Sequence, residues 1–315
     1  MEAAMEGPNL GQAKEVSSTD DRIWAALAHA SAFLMFVGPL VALIMWVMNR
    51  RKSPYVAFQS LQVMLYQTIF FWAWFSIIPL VMIILLFVWI ALTAPLMSRN
   101  ANPAALMAVP EFDMMAVMFG SFLVYGLIGV AGAVACLMGR DFKYPWLGQR
   151  TAAYLGYEGP ATASLDENKE DRIVAAACHS TAMVVFFGIL TPITAWLTQH
   201  ERSRFLRFQA MQTVFYQAIG LIGYFGLVAL SMLLMTAMVG GLFAMNSFGF
   251  TSHSPGWLIA LVLPFTALLC IIELAIPLYH LFAFLGTVRV LRGHNFHYPI
   301  LGNILASRMQ PAEEK

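Results

Sequence analysis

Residues 21–67 read DRIWAALAHASAFLMFVGPLVALIMWVMNRRKSPYVAFQSLQVMLYQ, and residues 171–217 read DRIVAAACHSTAMVVFFGILTPITAWLTQHERSRFLRFQAMQTVFYQ. The two stretches align without a gap at a constant spacing of 150, with 17 of 47 positions identical. The identities include polar and bulky residues, among them His29/His179, Gly38/Gly188, Trp46/Trp196, Gln59/Gln209, Gln62/Gln212 and Tyr66/Tyr216. A shared taste for apolar residues does not produce such a match. A second marker closes each unit: GRDFKYP at 139–145 returns as GHNFHYP at 293–299. The chain therefore reads as a tandem duplication. Its expected divisions are a polar tail (1–20), a first repeat (21–150), a polar linker (151–170), a second repeat (171–305) and a polar tail (306–315).

Each repeat carries three apolar segments, roughly 23–48, 60–93 and 112–138, then 173–198, 210–245 and 257–289. A membrane-crossing helix needs about 20 apolar residues, and within hydrocarbon a helix satisfies its own backbone. The expected fold is an all-α integral membrane protein with two tandem three-segment helical repeats and six hydrophobic segments. Composition agrees: 60% of the 315 residues are hydrophobic and 11% charged, against about 25% charged in soluble domains. That excludes a soluble globule and a disordered chain. A net charge of +1 argues against a nucleic-acid partner. The partners expected are the lipid bilayer and other membrane proteins or a second copy of the chain.

Lysine and arginine counts bear on topology. Six plain crossings would divide the 18 cations 10 against 8, which is no bias. If the first segment of each repeat enters and returns on one side, the division becomes 17 against 1. Gly38 and Pro39, and Gly188 and Pro192, sit mid-segment, where glycine tolerates a bend and proline removes a helix donor. Two re-entrant or deeply kinked first segments and four crossings are the preferred reading, with both ends cytoplasmic in the cell (inner) membrane. Six crossings would instead make the halves inverted repeats. Residues 1–22 lack a basic stretch followed by a short apolar core, so no cleavable leader is expected.

The polar groups inside apolar surroundings are the candidate functional residues. Gln59, Gln62 and Tyr66 recur as Gln209, Gln212 and Tyr216 at spacings that place them on one helical face. They suit interhelical polar contacts or the lining of a translocation path. His29 and His179 lie one to two turns inside the first segments. Glu273, with Pro277 and His280 at i+4 and i+7, is an acid within an apolar run, and Phe119 holds the matching position. A charged carboxylate there would cost at least about 2.5–3.5 kcal/mol. Arg50, Arg51, Lys52, Arg202, Arg204 and Arg207 suit lipid head groups. Phe142, Tyr144, Phe296 and Tyr298 suit the aromatic belt at the membrane interface.

Cys136, Cys178 and Cys270 sit in apolar runs without metal-ligand spacing. No metal site, cofactor or catalytic constellation is expected, and the chain does not read as an enzyme.

The order His29, Gly38-Pro39, Trp46, Ser53-Pro54-Tyr55, Gln59/Gln62 and the closing GRDFKYP resembles the small bacterial DUF4870 membrane proteins, which are grouped with Tic20 of the chloroplast import machinery. The stretch 204–212, RFLRFQAMQ, is similar to the Tic20 pattern in this helix, with Gln209 in place of its asparagine. That resemblance implies a non-enzymatic membrane component that lines or supports a path for protein or solute. Two alternatives stand beside it: a small secondary transporter using Glu273 and the histidines, and a membrane scaffold or assembly factor.

Overall fold

The computed structural model describes residues 18–97, 103–248 and 256–309, some of them, including Cys270 and Glu273, by backbone alone. Among the described residues the chain is helical and contains no strand. Helix α1 (Thr19–Ala30) starts where Ser18 accepts from the Asp21 amide, with Asp20 and Asp21 in its first turn. This is a side-chain cap with carboxylates at the positive end of the helix. The second repeat has the same device: the Asp166 carboxylate accepts from the Asn168 and Lys169 amides at the start of α6 (Glu167–Ser180).

Both helices end abruptly. A 3-10 stretch, Ser31–Val37, follows α1, with Met35 in the left-handed region at φ 44°, before α2 (Gly38–Asn49) begins. Thr181–Met183 follows α6 before α7 (Leu190–Gln199). Glycine is required at each turn because the chain folds back on itself. A Cβ on Gly38 would lie 2.8 Å from the Ser31 carbonyl oxygen, and one on Gly188 would lie 1.8 Å from that of Thr181.

After α2 come α3 (Pro54–Met97), α4 (Pro103–Leu137) and the short α5 (Leu147–Leu155). After α7 come α8 (Arg204–Phe248), α9 (Gly256–Leu291) and α10 (Leu301–Met309). Helices α3 and α9 run unbroken through Pro79, Pro264 and Pro277. Gly139 and Gly293, at φ 73° and 92°, follow the ends of α4 and α9, the positions where a left-handed residue stops a helix.

Four described stretches are long and apolar enough to cross a membrane: Thr19–Asn49, Pro54–Thr93, Phe112–Leu137 and Arg204–Gly241; Ala275–Leu291 of α9 is a shorter apolar helix. The first of these is the one that folds back. Side-chain contacts fix the directions. His29 meets Gln59 and Ser31 meets Gln67, so α1 runs parallel to α3. Helix α2 lies between them in sequence and joins α3 through a tight turn, so it runs back. In the second repeat Arg50 touches both Asp171, at the start of α6, and Gln199, at the end of α7. The two ends of that segment therefore lie on one side. This is the hairpin arrangement that the cation count favours.

A 44-residue α3 is about 66 Å long, against about 30 Å of hydrocarbon. Its first half packs against the hairpin, burying Phe58, Leu61 and Met64, while Ile77, Leu80, Phe87 and Leu92 further along are exposed. The two repeats meet through α2 with α7 and α3 with α6. The region read as a polar linker from residue 151 begins inside α5, whose buried Ala152 and Leu155 give it an apolar side. Tyr157 then stacks on Phe58 at 3.9 Å.

Candidate functional site: two buried His–Gln–Tyr networks

The repeated polar residues converge, once in each repeat, on a histidine. His29 Nδ1 lies 2.9 Å from the Tyr144 hydroxyl, and its Nε2 lies 2.9 Å from Gln59 Oε1. An amide oxygen only accepts, so Nε2 carries the proton and Nδ1 accepts from the tyrosine. Gln59 donates through Nε2 to Asp141 Oδ1 (3.0 Å) and to the Phe142 carbonyl (3.1 Å). Gln62 donates to the same carbonyl at 2.8 Å and to Gln59 Oε1, and accepts from the Tyr144 amide at 3.4 Å.

The second repeat has the same pattern. His179 Nδ1 lies 2.9 Å from the Tyr298 hydroxyl and Nε2 2.9 Å from Gln209 Oε1. Gln209 and Gln212 donate to the Phe296 carbonyl at 3.1 and 2.8 Å. Thr213, where the first repeat has Val63, places its hydroxyl 3.2 Å from His179 Nδ1.

Both histidines and all four glutamines are fully buried. Their donors and acceptors are satisfied within their own repeat, which is what an interior polar group requires. The closing FxYP loops are thus latches that return from the end of α4 or α9 to the hairpin and the following helix. Each histidine also needs a glycine opposite. A Cβ on Gly132 would lie 2.4 Å from His29 Nδ1, and one on Gly286 would lie 3.0 Å from His179 Nδ1. Sequence reading passed over these two glycines, although they match at the same spacing of 154 as the closing motifs.

Several sequence expectations are corrected. Tyr144 and Tyr298 are 2% and 1% exposed. They belong to the latch and not to an interfacial belt, because their hydroxyls have a buried partner. Tyr66 and Tyr216 donate to the carbonyls of Tyr125 and Tyr279 and stack on Tyr144 and Tyr298. Arg50 does not reach toward lipid. It lies over Trp46, donates to Gln199, and pairs with Glu170 and Asp171 at 3.3 and 3.2 Å. This one guanidinium ties the first repeat to the second at the polar edge of α6. Burial raises the Glu170 carboxyl to about 7 against the opposing pull of Arg50, and burial raises Asp171 as well.

Arg51, Lys52, Arg202 and Arg204 are exposed and Arg207 is half-buried. His280 lines an apolar cavity of about 230 Å³ beside Gly220, Tyr224 and Tyr279. The Glu273 side chain lies outside the described residues. Cys136 and Cys178 are buried free thiols, and no cluster of metal-binding side chains occurs among the described residues.

One family model matches the chain twice, over residues 20–150 and again over 170–305: the magnetosome magnetite crystal formation protein family, MamF/MmsF. Comparison with curated proteins and with solved structures returns no match. The finding overturns the resemblance to DUF4870 and Tic20. The residues that carried that resemblance are the His–Gln–Tyr latch and the hairpin glycine, which hold an architecture together and specify no activity.

Proposed function

Because this chain belongs to the magnetosome magnetite crystal formation family, in two tandem copies, we propose that it is a non-enzymatic scaffold of the membrane in which magnetite crystals form. It acts through the surfaces it presents and conducts nothing. One observation carries this reading: the polar residues best suited to line a path, His29, Gln59, Gln62, His179, Gln209 and Gln212, are 0% exposed and bonded to one another. A conduit needs polar groups that water or cargo can reach, whereas these lock each hairpin to its neighbours. In this reading the chain sits in the membrane bounding the crystal compartment, and the duplication fixes two latched units side by side through Arg50.

The test has two arms. The first uses a magnetite-forming cell deprived of the protein, with crystal dimensions measured by electron microscopy. The wild-type chain and Glu273→Gln should restore crystal size equally. The second uses proteoliposomes, where proton and ferrous-ion flux should equal that of protein-free vesicles. Flux above that background, lost in Glu273→Gln, would establish a transporter and overturn the scaffold reading.

A further inference from the structure

The duplication lets each repeat serve as a control for the other, and one place differs sharply. In the first repeat the hollow beside the start of α3 is filled and charge-balanced. Tyr157 stacks on Phe58 and its hydroxyl donates to Asp141 at 3.0 Å. Lys143 pairs with Asp141 at 3.5 Å and lies over the Tyr157 ring. Among the described residues of the second repeat, the corresponding hollow is a cavity of about 750 Å³ between the start of α8, the closing loop and α10. Asn295 stands where Asp141 does, so the acid is gone. Arg204 and Arg207 replace Pro54 and Ala57, and Arg308 enters from α10.

Three guanidinium groups therefore line one cavity together with His297, which lies 4.9 Å from the Phe208 ring. Among the described residues, no acidic side chain lines this cavity and none of the three arginines forms an ion pair. Guanidinium groups match phosphate oxygens in a planar, two-point fashion. Apolar groups line the same cavity: Phe205, Phe208 and Met309. Cationic and apolar walls in one cavity, at the foot of a membrane-crossing helix, fit an amphiphile better than a free ion.

We propose that this cavity is a binding site for the phosphate head group of an acidic phospholipid, held by Arg204, Arg207 and Arg308. The phosphate sits on the arginines, and the glycerol and upper acyl chain lie along Phe205 and Met309. The site is specific to the second repeat and independent of the family's role in crystal formation.

Native mass spectrometry of the full chain in detergent, titrated with phosphatidic acid, phosphatidylcholine or inorganic phosphate, tests the assignment. Phosphatidic acid should bind at least tenfold more tightly than phosphatidylcholine. Arg204→Gln with Arg207→Gln should abolish that preference, and Arg308→Gln should weaken it. Arg51→Gln with Lys52→Gln, which neutralises exposed cations of the first repeat, should leave it intact. Equal losses in the two double variants would reduce the effect to general surface charge and overturn the site. Absence of any preference for the acidic lipid would do the same. Inorganic phosphate binding as tightly as phosphatidic acid would overturn the lipid assignment. Wild-type melting behaviour of each variant without added lipid establishes that it folds.

Discussion

Tyr144→Phe and Tyr298→Phe remove the same hydroxyl from the same motif, yet the structure assigns them unequal costs. Each hydroxyl donates to a buried histidine Nδ1 at 2.9 Å. Losing it leaves a ring nitrogen without a donor in a dry site, a penalty of about 1–3 kcal/mol. In the first repeat nothing replaces it, because the neighbouring α3 position is Val63, fully buried and apolar. In the second repeat the Thr213 hydroxyl already lies 3.2 Å from His179 Nδ1. It can turn its proton from the Gln209 carbonyl to the ring, so Tyr298→Phe should cost less than about 1 kcal/mol.

Thermal unfolding of the detergent-solubilised chain, followed by tryptophan fluorescence, should rank Tyr144→Phe clearly below Tyr298→Phe and wild type. The cycle closes in both directions. Adding Thr213→Val to Tyr298→Phe should bring its cost up to that of Tyr144→Phe, while Val63→Thr should recover part of the Tyr144→Phe loss. Equal costs for the two phenylalanine variants, or a larger one for Tyr298→Phe, would refute the view that these histidines depend on a full set of partners.

Gly132→Ala should destabilise more than Gly286→Ala, by about 1–3 kcal/mol in the first case, since its Cβ meets the His29 ring at 2.4 Å and the other meets His179 at 3.0 Å; melting temperatures give the ranking. Arg50→Ala leaves Glu170 and Asp171, with side chains 3% and 11% exposed, without their cation. It should cost about 3–5 kcal/mol, read as a lower melting temperature and faster proteolysis between the repeats. The same cluster predicts a pH dependence. Glu170 holds its proton up to about 7 when folded, against 4.5 as its ordinary value, so the folded chain binds more protons across that window. Stability should therefore fall as pH rises from about 4.5 to about 7, by at most about 1.4 kcal/mol per pH unit for this one group. Glu170→Gln should flatten the slope, and a rise in stability over the same interval would refute the reasoning.

Much of this architecture is legible from residues alone. Low charge and long apolar runs name the solvent, and Gly38 and Gly188 mark where the first segment of each repeat turns back. The paired spacings of 150 and 154 bring the histidines, glutamines and closing tyrosines into register. What the pattern conceals is which polar group meets which. Tyr144 has the composition of an interfacial anchor, and Arg50 that of a head-group cation. Their inward orientation depends on His29 and on Glu170, residues brought near them only by folding. Helix α5 is obscured for a related reason, since its apolar side is short and flanked by linker composition.

Sequence by itself determined the bilayer as solvent, the duplication and the hairpin break, because these follow from local chemistry repeated along the chain. Tertiary structure alone decided how equivalent residues differ. Ile23 and Ile173 are the same residue at the same repeat position, 44% and 0% exposed. Helix α6 packs against α3 of the other repeat as well as against α8 and α9, whereas α1 packs against α3 and α4 of its own repeat. Burial belongs to the surface that a side chain meets, and a one-dimensional pattern does not contain that surface.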